Sequence, residues 1–218
     1  VDRQSIVHAA LELLDEAGLD GLTVRRLATR LGVRSPALYW HVRNKQELLD
    51  EMAQELQARQ DLGPPRAGEP WREWLTRRAR ERRRILLSRR DGARLVAATR
   101  PTAAAVNGFD AELAALVDRG FTPVRAMRAI VLLGHYITGF VLEEQADQQR
   151  HADTGETPPE RMTEDQRTDL LRATPTLAAA IRDGGDPGGE AAFEDGLRML
   201  IDGIAAGLER SRNDDRQT

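Results

Sequence analysis

The sequence predicts an all-α protein in two parts: an N-terminal three-helix domain containing a helix-turn-helix, over residues 1–59, and a C-terminal helical domain over 60–218. Three observations carry that expectation. Apolar residues recur at i, i+3, i+4 and i+7 through most of the 218 residues, while the period-two alternation of strands is nowhere sustained. Capping residues and glycines punctuate these runs where helices should start and stop. Finally, residues 60–70 (QDLGPPRAGEP) hold three prolines and two glycines, which cannot continue a helix and mark the boundary.

Taken in order, Asp2 can cap a first helix reaching about residue 17, with Ile6, Ala9, Ala10, Leu13, Leu14 and Ala17 on one stripe and Gly18 and Gly21 closing it. Thr23 caps a short helix over 24–31, whose inner face is Val24, Leu27, Ala28 and Leu31. Gly32 stands where a left-handed residue ends such a helix. Ser35 offers a side-chain cap and Pro36 the first helical position, so a brief third helix is expected over 36–41. Asn44 and Glu47 form a capping-box pair ahead of a helix to about residue 59, burying Leu48, Leu49, Met52 and Leu56.

Beyond the boundary, residues 71–90 read as a long helix with Trp74, Leu75, Ile85, Leu86 and Leu87 apolar, crowded by Arg77, Arg78, Arg80, Arg82, Arg83 and Arg84. A short helix over 94–98 and another over 103–118 follow. Thr122-Pro123 then opens a new one, apolar nearly all round from 129 to 142 apart from His135 and Thr138. At ~1.5 Å per residue that apolar segment is too short for a bilayer and is expected to be a core or subunit-interface helix. Residues 150–163 read as a polar loop, 164–173 and 176–182 as short helical pieces. The last helix, over 190–208, carries Phe193, Leu197, Leu200, Ile201, Ile204 and Leu208, with Gly196, Gly203 and Gly207 placed to let a partner helix approach. Two very apolar helices imply a four-helix bundle shared within a homodimer.

Composition limits the function. Net charge is −3, so basic function must come from local clustering. There is no cysteine, which excludes disulfides and thiol chemistry and fits a reducing, cytoplasmic setting. No apolar run of membrane-spanning length and no signal-peptide core are expected. Phosphate loops, a serine nucleophile elbow and metal-spaced His/carboxylate clusters are all missing, so no catalytic residue, cofactor or metal ligand is assigned.

The most informative stretch is 23–45. With Ala28 small at the helix crossing, Gly32 at the turn and Leu38 pointing inward, Ser35, Ala37, Tyr39, Trp40 and His41 are left facing outward. Residues 21–46 contain no acid but hold Arg25, Arg26, Arg30, Arg34, Arg43 and Lys45, although the first sixty residues carry eight Lys/Arg against nine Asp/Glu. A charge run alone would be an ordinary solvated face. Together with two outward aromatics it is what phosphate contact by a recognition helix requires.

The segment LDGLTVRRLATRLGVRSPALYWHVRNKQELLD resembles the DNA-binding domain of the tetracycline repressor (TetR) family. RRDGARLVAATRP, GHYITGFVLEEQ and GGEAAFEDGLRMLIDG resemble segments of that family's ligand domain. The resemblance implies a homodimeric transcriptional repressor with a C-terminal ligand-binding and dimerisation domain, reading a palindromic double-stranded DNA operator and released by a small-molecule effector. It places DNA contact at Thr23, Arg25, Ser35, Pro36, Ala37, Tyr39, Trp40, His41 and Lys45. It places ligand contact at Arg78, Arg82, Val96, Thr99, Phe109, Glu112, Leu113, His135 and Glu143. Within that set the pattern departs from the family: Val96 stands where a metal-ligating histidine is usual, Arg78 and Arg82 replace an amide and an aromatic, and Glu112 replaces another amide. A metal-free effector is therefore expected, with Arg78 or Arg82 either receiving an anionic group or ion-paired internally to Glu112 or Glu143. The alternatives are a ligand-independent helix-turn-helix protein and a true tetracycline-responsive repressor. A cavity of roughly 300–1,000 Å³ in the C-terminal half would favour an effector.

Overall fold

The computed structural model describes residues 2–58, 63–100, 102–154 and 163–217. Residue 59 at the expected helix end, 60–62 of the expected boundary and 155–162 of the expected polar loop lie outside them. Helix is the only regular structure among the described residues. The helices are α1 (Arg3–Gly21), α2 (Val24–Arg30), α3 (Ser35–Leu38), α4 (Lys45–Ala58), α5 (Trp71–Leu87), α6 (Gly92–Ala97), α7 (Ala103–Val117), α8 (Pro123–Thr154), α9 (Glu164–Ala173), α10 (Pro175–Gly184) and α11 (Glu190–Gln217).

Local chemistry explains most starts. Asp2 accepts from the Ser5 nitrogen at 2.8 Å, which holds its carboxyl below the usual range and caps α1. Thr23 and Thr102 cap α2 and α7 in the same way, through the nitrogens of Arg26 and Ala105. Asn44 accepts from the Glu47 nitrogen at 2.9 Å, but the Glu47 carboxylate reaches back to the nitrogen of Arg43 at 2.7 Å, so the box is shifted by one residue. Helix α1 runs past its expected end through a kink at Gly18, whose φ of 69° is open to glycine.

Two cores result. The first joins α1, α2, α3 and α4 through Ile6, Leu14, Leu27, Leu38 and Met52, and it also takes in Ile85 and Leu95 from the second half. The second gathers Trp74, Leu116, Leu133, Ile137, Phe193 and Leu197. Val96 packs against both, so α6 is shared by the two cores.

Helices α3, α8 and α11 also differ in length from expectation, and α5 stops at Leu87, short of residue 90. Helix α3 stops at Leu38, because Tyr39 to His41 form a turn in which the nitrogens of both His41 and Val42 donate to the Leu38 carbonyl at 3.0 Å. Helix α8 has 32 residues, since its polar second half contains no glycine or proline after Gly139 to stop it. It is thus long and apolar enough to cross a membrane by length and composition, contrary to the sequence expectation. It packs instead on α5, α6, α7 and α11. Helix α11 likewise continues to Gln217.

The glycines of α11 face their own chain more than expected. Gly196 lies against the Tyr136 hydroxyl, and Gly207 offers its carbonyl to Arg125 at 2.6 Å. Gly203 is open.

Candidate functional site

The helix-turn-helix is built from short, firmly anchored pieces. Leu27, Ala28 and Leu38 are buried between α2 and α3. Gly32 adopts φ 66°, and the Val33 nitrogen bonds back to the Ala28 carbonyl at 3.0 Å, which turns the chain sharply. Val42, buried four residues after Leu38, is a second anchor that the sequence pattern did not single out, although its i+4 spacing pointed to it. Ser35 is not a cap: Arg34 occupies the N-cap position without a side-chain bond, and Ser35 begins the helix. A helix this short, with Pro36 lacking an N–H, offers few nitrogens for a hydroxyl to cap.

Between those anchors, Pro36, Ala37 and His41 are exposed, Tyr39 is 53% exposed and Trp40 89% exposed. Arg25, Arg34, Arg43 and Lys45 are exposed as well, and none of the four forms a salt bridge among the described residues. Arg34 and Arg43 are exposed close in sequence to these residues, although the resemblance did not single them out. Arg30 does not belong. Its guanidinium is held by Glu16 at 2.7 and 2.8 Å and by Glu12 at 3.2 Å, which lowers the Glu16 carboxyl from its ordinary range. Arg26 is turned to the Gly21 carbonyl.

In the C-terminal half, the structure brings together part of the expected ligand set. Arg78 and Glu112 are buried and form a two-point pair at 3.1 and 2.6 Å. Burial pushes the Glu112 carboxyl up while the Arg78 guanidinium pulls it down. Arg82 follows one turn later. Burial and then the Arg78 charge lower its pKa, with Glu112 opposing, and its Nε is buried without an acceptor. Phe109 and Leu113 are partly buried against the same core.

The remaining expected residues stand apart. His135 and Glu143 are exposed on α8. The Thr99 hydroxyl donates to the Val96 carbonyl at 2.9 Å. A magnesium centre does not fit this arrangement: Val96 has no donor atom, and no three His, Asp or Glu side chains converge among the described residues. Three surface grooves of the C-terminal half and its junction with α4 lie elsewhere. A groove of about 770 Å³ between α5 and α11 is lined by Arg80, Arg83, Arg84, Glu190 and Phe193. One of about 260 Å³ separates α4 from the α6–α7 junction and includes Asp50, Thr99 and Arg100. A third, of about 340 Å³, runs between α8 and α11 past Leu132, Met199 and Gly203. Two of the three fall within the expected volume range, but all are open surface grooves between helices, and the Arg78–Glu112 region lines none of them.

An N-terminal helix-turn-helix packed through a shared helix onto a larger helical domain is the architecture of the two-domain transcriptional regulators. Residues 6–52 match the family described as "Bacterial regulatory proteins, tetR family", and residues 64–208 match "Tetracyclin repressor-like, C-terminal domain". The chain belongs to the TetR family. It is 42% identical over 202 residues to the tetracycline repressor protein class A from transposon 1721 of Escherichia coli, covering 92% of this chain and 89% of that protein. Among solved structures, a TetR variant from Acinetobacter baumannii AYE in complex with minocycline aligns with a TM-score of 0.72 at 38% identity, covering 96% of this chain and 94% of that one. The Streptomyces coelicolor protein ActR in complex with (S)-DNPA aligns with a TM-score of 0.74 at 28% identity, covering 95% and 98%.

Proposed function

We propose that this chain is a ligand-responsive transcriptional repressor that binds a palindromic DNA operator as a homodimer and lets go when a small molecule enters its C-terminal domain. The observation that carries the reading is that Tyr39 and Trp40 stand exposed within residues 21–46, a stretch that holds no acid, where Arg25, Arg34, Arg43 and Lys45 form no salt bridge among the described residues. In this reading Arg25 donates to a base edge or phosphate, and Lys45, Tyr39 and His41 hold the phosphate backbone. Pro36 and Ala37 offer apolar contact to a thymine methyl, while Thr23, Ser35 and Trp40 complete the surface. Domain limits are assigned at 1–59 and 60–218, with Ile85 and Leu95 of the second domain packed into the core of the first, and operator binding implies a cytoplasmic site of action.

Pairing is assigned to α8 and α11. Val124, Met127 and Val131 on α8 and Met199 on α11 are large apolar side chains exposed on the single chain. A shared four-helix bundle would cover them and set two recognition helices about 34–36 Å apart, one turn of duplex. The effector is metal-free, which is supported by Val96 and by the scattered placement of Thr99, His135 and Glu143.

The test is binding of the purified chain to random duplexes at low salt with selection of bound sequences. A palindromic site with half-sites one turn apart is expected, and no enrichment over random sequence overturns the reading. Titration with tetracycline and magnesium bears on the effector: sub-micromolar, metal-dependent binding would overturn the metal-free assignment.

A further inference from the structure

The arginines of α5 are almost all answered by an acid. Arg77 has Glu69 at 2.7 Å, Arg78 has Glu112 at 2.6 Å, Arg80 has Glu194 at 2.7 Å, Arg83 has Glu144 at 3.0 Å and Arg84 has Glu81 at 2.6 Å. Arg82 is the exception. No carboxylate lies within ion-pair distance of it among the described residues, and its Nε is buried without an acceptor. Glu112, the acid nearest in charge, already gives both oxygens to the Arg78 fork. Two guanidinium groups thus share one carboxylate in a part-buried cluster, which is left with a net positive charge. An unpaired charge removed from water is costly, and that cost falls when a second anion arrives.

We propose that the effector is an apolar organic acid, and that Arg82 receives its carboxylate while the Arg78–Glu112 pair stays closed. This rests on the ligand-responsive reading above and adds the chemical class. A planar fork facing a two-oxygen anion is the geometry guanidinium groups bind best. The apolar body is assigned to the neighbouring turns of α7, where Phe109 and Leu113 flank Glu112. Burial acting on Arg82 lowers its pKa, in keeping with a cation that lacks its counter-ion.

The experiment uses matched probes: 2-naphthoic acid, 1-naphthaleneacetic acid and 4-phenylbenzoic acid, each beside its neutral primary amide. They are titrated calorimetrically into the full chain and into Arg82→Gln. At least one acid is expected to bind tenfold or more tighter than its amide, with the ratio falling within twofold in R82Q. Unliganded R82Q is expected to melt no lower than the parent chain. Equal behaviour of acids and amides throughout, or a preference that survives in R82Q, overturns the proposal. So does an R82Q chain that melts lower and no longer pairs, because the counter-ion would then be a carboxylate of the partner subunit. Operator release by neutral amides alone sinks the acid assignment and leaves the repressor standing. Failure to bind any operator sinks the repressor reading, while the acid–amide contrast remains measurable.

Discussion

The carboxylate of Asp91 lies 2.7 Å from the backbone nitrogen of Leu19 and accepts its hydrogen bond across 72 residues of sequence. Asp91 is buried and left-handed at φ 55°, the one non-glycine residue with positive φ among those described. Its second oxygen meets Arg94 at 3.3 Å, and Arg94 also grips Asp20 of α1 at 3.0 and 3.1 Å. Arg89 adds a pair with Asp15, and Gln46 of α4 donates to the Ala98 carbonyl at 2.9 Å. The reading head is thus clasped to α6 on both sides.

Replacing Asp91 with alanine should destabilise the chain by about 1–3 kcal/mol, because the Leu19 N–H is left buried without an acceptor. Gly18→Ala should act in the same direction, since a Cβ there would meet the Asp91 Oδ2 at 2.9 Å with φ held at 69°. Urea melts of both variants check this; parent-like midpoints would show that the clasp contributes little.

On the DNA face, single alanine replacements of Arg25 and Lys45 should each weaken operator binding and flatten its salt dependence by about 0.9 in the log–log slope for each phosphate that is no longer neutralised. Arg30→Ala should leave that slope alone, because Arg30 is held by Glu12 and Glu16. Anisotropy titrations over a range of potassium chloride separate the two behaviours.

Val131→Glu and Met199→Glu place charge on side chains already exposed in the single chain, so each should fold normally yet sediment as a monomer. Analytical ultracentrifugation at micromolar concentration reads the outcome. A dimer that persists in both would move the interface away from α8 and α11.

Acid should act through Glu69. Arg77 holds its carboxyl down at about 2, with the Arg66 nitrogen assisting. The unfolded chain takes up that proton near the ordinary 4.5 and the folded chain near 2, so stability from this pair is intact above 4.5 and falls as pH drops through the window. Glu69→Gln should shallow the stability–pH slope there by up to about one proton, measured by urea melts between pH 5 and 2.5.

Sequence alone revealed the helical class, the turn at Gly32, the inward Leu38 and the exposed Tyr39 and Trp40, because each depends on neighbours within a few residues. Partner choice was less legible. Arg30 looked like part of the cationic face until the crossing of α1 over α2 brought Glu12 and Glu16 to it. For Arg78, internal pairing with Glu112 was one of two readings left open, and only packing 34 residues apart selected it. Asp91 and Gln145 carry no local signal, since their value lies in distant backbone atoms: Gln145 holds the carbonyls of Leu86 and Arg89 and takes the Ala93 nitrogen, pinning α6 to α8. The run of α8 past residue 142 was not legible because its apolar stripe fades there while its backbone has no reason to stop.

Trp40 has one more consequence. Of three tryptophans, Trp74 is sealed in the C-terminal core and Trp71 is half-buried edge-on against Phe121, leaving Trp40 the most exposed indole. Collisional quenching by acrylamide should therefore strike Trp40 first in the free chain and be blocked when a duplex covers it. The molecule carries its own unlabelled optical gauge of occupancy, with Trp74 as the internal reference.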